Sequence, residues 1–206
     1  MAAARTEWVG PALTPGAPVV LLLPGRAQPT EFMAEFFRQL ALPLAGVILS
    51  AENDSWYPGR FMESVESNQP HLDNALDRID QLIVALTKSG TARNRIALVG
   101  FSQGACVVSE YLLRQRGRWG ALVAMTGGLF GPVEHVWPPR TETIESTPVL
   151  LTNSDRDPWV PLSRTRQTAQ VFRTLGAIVS ERIYAGRAHL ISPPEIDAAR
   201  EMLANL

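Results

Sequence analysis

The chain is short of cysteine, lysine and long apolar runs. Cys106 is the only Cys in 206 residues, which excludes an intrachain disulfide and a Cys-based zinc site. His71, His135 and His189 are the only histidines. They show no H-x-x-H or H-E-x-x-H spacing, so no metal site is expected. The apolar run Val19–Leu23 is too short to span a membrane. Met1–Gly10 contains Arg5, Glu7 and Trp8 and lacks the apolar segment of a signal peptide. The expectation is a soluble, cytoplasmic protein with no membrane insertion. Excess charge of one sign is missing too. The chain has 19 basic and 20 acidic residues, for a net charge of -1. That balance argues against a basic nucleic-acid binder or a polybasic membrane anchor. Lys88 is the one Lys, and the Arg residues are scattered rather than gathered in a stripe.

What is present suits one packed domain over residues 1–206. Hydrophobic residues make up 46% and charged residues 19%, and a chain of this length buries about 70% of its unfolded surface. Glycines and prolines punctuate the sequence without forming a linker. Short apolar runs predict strands at Val19–Leu23, Gly46–Leu49, Arg95–Val99, Ala121–Met125, Val149–Thr152 and Ala177–Tyr184. All but the last are nearly continuous, as in buried parallel strands. Amphipathic stretches lie between them, such as Leu72, Leu76, Ile79, Ile83 and Leu86 on one helical face. Ser192-Pro193-Pro194-Glu195 reads as a capping box that opens a last helix. The alternation predicts an α/β fold, a mostly parallel sheet with helices on both faces.

Chemistry enters at Gly100-Phe101-Ser102-Gln103-Gly104. This is G-x-S-x-G between a predicted strand and a predicted helix, the context that a nucleophile elbow needs. Composition alone would place about 0.06 copies of the pattern in such a chain. A serine hydroxyl needs a general base, and elbow enzymes order the triad Ser, acid, His. His189 is the one downstream His, in a loop after a strand. Asp155 and Asp157 both follow the preceding strand, and spacing alone does not choose between them. Two backbone donors should face the developing oxyanion. The candidates are the amides of Gln103 and of Arg26, which follows Gly25 after the first long strand.

These residues resemble the bacterial phospholipase/carboxylesterase family of α/β-hydrolases, which is similar to acyl-protein thioesterases. The resemblance rests on Arg95 through Ala105, Trp56-Tyr57-Pro58, Thr126-Gly127-Gly128-Leu129, Thr147-Pro148-Val149, Asp155 through Pro158 with Val160-Pro161, and Tyr184 through His189. It implies an α/β-hydrolase fold with Ser102 as nucleophile, Asp157 as acid, His189 as base, and Arg26 and Gln103 as oxyanion donors. No metal or organic cofactor is implied. The family's usual first-loop His is Pro24 here, and a common Gly is Ala27. Its Tyr-Pro-Gly-x-Gly-His reads Tyr-Ala-Gly-Arg-Ala-His, with Ala188 before the His.

Trp56, Tyr57, Phe61, Leu129, Phe130, Trp159 and Leu190 flank these motifs and are candidate walls of an acyl pocket. No long amphipathic insertion supplies a large cap domain. The expected activity is a serine carboxylesterase acting on short- to medium-chain, small-molecule esters. Thioester or lysophospholipid cleavage is the alternative within hydrolases, and a non-catalytic binding protein the alternative outside them. A homodimer stays compatible with the sequence, and no nucleic-acid partner is expected. Arg26, Arg156 and Arg187 fall in three motif loops, which predicts a positive rim around the site. Cys106 is expected to pack the nucleophile helix, His71 to lie on a helix surface and His135 in an exposed loop.

Overall fold

A computed structural model describes residues 5–138, 141 and 143–206. Met1–Ala4 of the N-terminal segment, and Pro139, Arg140 and Glu142 of the 126–147 connection, lie outside them. The strands are β1 (Thr6–Val9), β2 (Val19–Leu23), β3 (Ala45–Leu49), β4 (Ile96–Phe101), β5 (Ala121–Met125), β6 (Pro148–Ser154) and β7 (Ile178–Tyr184). The helices are α1 (Thr30–Leu40), α2 (His71–Lys88), α3 (Gln103–Leu113), α4 (Leu162–Thr174) and α5 (Pro193–Leu203). One sheet of order β1-β3-β2-β4-β5-β6-β7 holds every strand. Among the described residues, only the β1–β3 pairing is antiparallel.

The central strands β2 to β5 are buried along their whole length, which is why they read as unbroken apolar runs. Alternation along them divides the core. Val19, Leu21 and Leu23 join Leu72, Ile79 and Leu112 beneath α2, α3 and α4. Val20 and Leu22 join Phe36, Leu40 and Leu203 beneath α1 and α5. The sheet therefore has helices on both faces, as an α/β-hydrolase requires. The 126–147 connection carries no helix among its described residues, so no large cap covers the sheet. β1 has no counterpart among the strands expected from sequence. Thr6-Glu7-Trp8-Val9 is a mostly exposed edge strand, and a strand without a buried face leaves no apolar run to find.

Parallel strands deliver their C-terminal ends to one edge, where crossover loops gather. The turns after β2, β4, β6 and β7 carry Arg26, Ser102, Asp157 and His189.

Candidate active site

Ser102 occupies a corner between β4 and α3 with φ 52° and ψ -117°. A non-glycine residue there costs about 1–3 kcal/mol, so the surroundings must enforce the turn. They do so by close approach. A Cβ at Gly100 would stand 2.4 Å from the Gly104 carbonyl, and one at Gly104 would stand 2.2 Å from the Leu23 carbonyl oxygen. Only glycine fits either position. The Ser102 amide donates to the Met125 carbonyl at 3.0 Å, tying the corner to the end of β5.

His189 faces this hydroxyl from the loop after β7. Its Nε2 lies 2.9 Å from Ser102 Oγ, and its Nδ1 lies 2.8 Å from Asp157 Oδ2. The ring rests against Phe101, with centroids 5.1 Å apart. Asp157 Oδ1 accepts the Trp159 and Val160 amides, both at 2.9 Å. Burial acts to raise the Asp157 pKa, but the hydrogen bonds from His189, Trp159 and Val160 outweigh it and hold the carboxyl below its ordinary value. Asp155 serves elsewhere: its Oδ1 accepts the Gly186 amide at 2.7 Å and links the two loops.

The first loop lies against Ser102, since a Cβ on Gly25 would sit 3.1 Å from Ser102 Cβ. Gln28 Oε1 accepts the Gly25 amide at 2.8 Å. Ala27, where the family often has Gly, adopts φ 55° and donates its amide to the Asp54 carbonyl at 2.8 Å. Among the described residues, the Arg26 amide has no acceptor. The Gln103 amide opens α3, where no helical carbonyl can reach it. Both are available to an oxyanion.

Their side chains do work that sequence reasoning missed. Arg26 Nη2 donates to the carbonyls of Tyr57, Pro58 and Gly59 at 3.1, 3.2 and 2.7 Å. Gln103 Oε1 accepts the Trp56 amide at 3.1 Å, and its Nε2 donates to the Tyr57 carbonyl at 2.9 Å. Trp56 Nε1 donates to the Pro24 carbonyl at 2.8 Å. One loop, residues 55–59, thus braces both candidate donor positions. A motif search values Gln103 for its amide, and so gives no signal for its side chain.

The candidate pocket residues divide sharply. Trp56, Tyr57, Phe61, Leu129 and Phe130 are buried in the main core, where Phe130 meets the Tyr57 ring at 4.8 Å and the Phe61 ring at 6.4 Å. Trp159 and Leu190, at 66% and 45% exposure, stand open beside Asp157 and His189. Trp56 and Tyr57 also border a cavity of about 250 Å³ that includes His71 and Arg78, and Phe130 borders one of about 500 Å³ that includes Trp137 and Leu175. Neither cavity includes Ser102, Asp157 or His189.

The expected positive rim needs correction. Arg26 and Arg156 are exposed, but Arg187 keeps only 7% of its side chain exposed and pairs with the buried Glu195. Cys106 is buried one turn after Ser102, and that burial pushes its thiol up to about 11. His71 is exposed at the start of α2, whereas His135 is half-buried and rests against Trp137 with centroids 4.8 Å apart. No group of three or more His, Cys, Asp or Glu among the described residues could hold a metal ion. No helix among them is long and apolar enough to cross a membrane.

The phospholipase/carboxylesterase family matches residues 46–206. The chain belongs to that family. The phospholipase/carboxylesterase of Dyadobacter fermentans is 32% identical, with a TM-score of 0.91 over 98% of this chain and 96% of that one. The acyl-protein thioesterase 1 of Gibberella zeae is 27% identical over 158 residues, which cover 75% of this chain and 63% of the relative. That match therefore spans less than two thirds of the thioesterase's own length. The carboxylesterase of Bacillus cereus, at 17% identity and a TM-score of 0.74, shares the fold over 98% of this chain and 94% of its own. Within the phospholipase/carboxylesterase family fold, the loops described above converge on the Ser102 corner.

Proposed function

We propose that the protein is a serine carboxylesterase that works through an acyl-enzyme. The observation that carries the reading is the hydrogen-bonded chain from Ser102 Oγ through His189 to Asp157. His189 Nε2 takes the hydroxyl proton as Oγ attacks the ester carbonyl. Asp157, with its carboxylate stabilised by two backbone amides, accepts from Nδ1–H. It thereby fixes the tautomer and stabilises the imidazolium. The Arg26 and Gln103 amides bind the oxyanion. His189 then protonates the leaving alkoxide, and the tetrahedral adduct collapses to an acyl-Ser102. Water attacks this ester with His189 again as base, releasing the acid and free serine.

The substrates are small-molecule esters with short to medium acyl chains, met in the cytoplasm. Trp159 and Leu190 stand exposed beside Asp157 and His189 as the apolar surface an acyl chain would touch. Five of the seven residues considered as pocket walls are spent in the core, which leaves little surface for a long chain. The similarity to an acyl-protein thioesterase favours thioesters as a second reading. A panel of oxygen esters and thioesters of graded acyl length separates the two, with Ser102→Ala as the control. The expected outcome is highest kcat/KM on oxygen esters of short to medium chain. A peak on long-chain esters, or on thioesters, would contradict the substrate assignment and leave the triad intact.

A further inference from the structure

Arg187 lies two residues before His189, and its guanidinium is directed into the protein. Nη1 donates to the carbonyls of Ala188 and Leu190, on either side of His189, the first at 2.7 Å. Nη2 donates to Thr126 Oγ1 at 2.8 Å. Nε lies 3.2 Å from Glu195 Oε2, a charge contact with a fully buried carboxylate. Each of these partners is itself anchored. Thr126 is fully buried with φ 56°, follows the Met125 carbonyl that holds Ser102, and donates its amide to the Thr152 carbonyl. Glu195 caps α5 through the Ser192 amide at 2.9 Å and accepts Thr152 Oγ1 at 2.6 Å.

A guanidinium presents several donors in one rigid plane. Here that plane holds the two backbone carbonyls that bracket His189 and fastens them to Thr126, just after β5, and to Glu195 of α5. The loop itself is exposed on both sides of this point and has no core of its own. A displacement of about 1 Å in a general base costs about 100-fold in rate.

We propose that Arg187 is a positioning residue that, with Glu195 and Thr126, sets the distance from His189 Nε2 to Ser102 Oγ. The proposal rests on the reading of His189 as the base.

Steady-state kinetics on a short-chain p-nitrophenyl ester test it, alongside thermal unfolding and titration of active serines with a fluorophosphonate. Arg187→Ala is expected to lower kcat about 50-fold per titrated serine and to leave KM within about 2-fold. Arg187→Lys restores a charge beside Glu195 but not the planar fork. It should regain wild-type melting and stay about 10-fold low in kcat. Millimolar guanidinium ion should partly restore Arg187→Ala. If Arg187→Ala does not fold, the double variant Arg187→Met with Glu195→Gln removes both buried charges and should show the same kcat loss. Overturning results are a kcat within about 2-fold of wild type in Arg187→Ala or the double variant, or kcat and melting that fall together and recover together in Arg187→Lys. Ser102→Ala and His189→Ala are run in parallel. Wild-type turnover in either removes the triad reading and this proposal with it. Dead triad variants beside fully active Arg187 variants remove this proposal alone.

Discussion

Every residue from Ile96 to Leu113 is buried except Ser102, whereas Asp155, Arg156, Pro158, Trp159, Ala185, Gly186, Ala188 and Leu190 around Asp157 and His189 are exposed. The two regions are shaped by different means. At the Ser102 corner the backbone sets the shape, because Gly100 and Gly104 let α3 press against β2 and β4 at distances no side chain tolerates. In the Asp157 and His189 loops, side chains hold the backbone. Asp157 folds its own turn, Asp155 joins the loops, and Arg187 anchors the carbonyls beside His189. Changes at Gly100 and Gly104 should therefore act on folding, and changes in the loops on geometry at constant fold.

The largest effect should come from removing the reacting groups. Ser102→Ala and His189→Ala should each lower kcat by about 10⁴-fold or more, with circular dichroism and melting close to wild type. Asp157→Asn should cost about 10³- to 10⁴-fold in kcat, because the amide favours the wrong His189 tautomer. Asp155→Asn touches the Gly186 amide and not the ring, and should cost no more than about 10-fold. Equal losses in the two Asp variants would erase the distinction drawn between them.

Gly104→Ala tests the other region. Its Cβ would collide with the Leu23 and Pro24 carbonyls, and overpacking of this kind costs about 3 kcal/mol. Calorimetry should show a fall in Tm of roughly 6–12 °C. A variant that melts like wild type yet has lost turnover would place the corner's sensitivity in geometry rather than packing.

The smallest effect concerns pH. The Asp157 pKa is lowered in the folded state from an ordinary 3.8. Its contribution to stability is thus complete above that value and is lost as pH falls through the lowered one. Urea midpoints of wild type and Asp157→Asn should differ by a constant amount at neutral pH, and the gap should close below pH 3.8. A gap that widens in acid would reverse the sign.

The sequence carries much of this, unevenly. Buried parallel strands are readable because both their faces are apolar, so β2 to β6 stand out. β1 does not, since an exposed edge strand needs no pattern. The order Ser102, Asp157, His189 is readable because each follows a different strand to the same sheet edge. Asp155 and Asp157 are two residues apart in one loop, so spacing does not separate them, whereas the family resemblance and their hydrogen-bond partners do. Glu195 reads as a helix cap and Arg187 as an exposed cation. A loop has no period, so nothing in its sequence records whether a side chain points outward or into the protein. Trp56, Tyr57 and Phe130 look like pocket walls because apolar residues beside a motif have the same composition as core.

The most direct test is covalent labelling with a fluorophosphonate, read by intact mass and peptide mapping. One adduct on Ser102 is expected in the wild-type protein and none in Ser102→Ala, with labelling of His189→Ala slowed about 10³-fold. An adduct on another residue, or labelling of His189→Ala at the wild-type rate, would contradict the assignment of Ser102 as a nucleophile activated by His189.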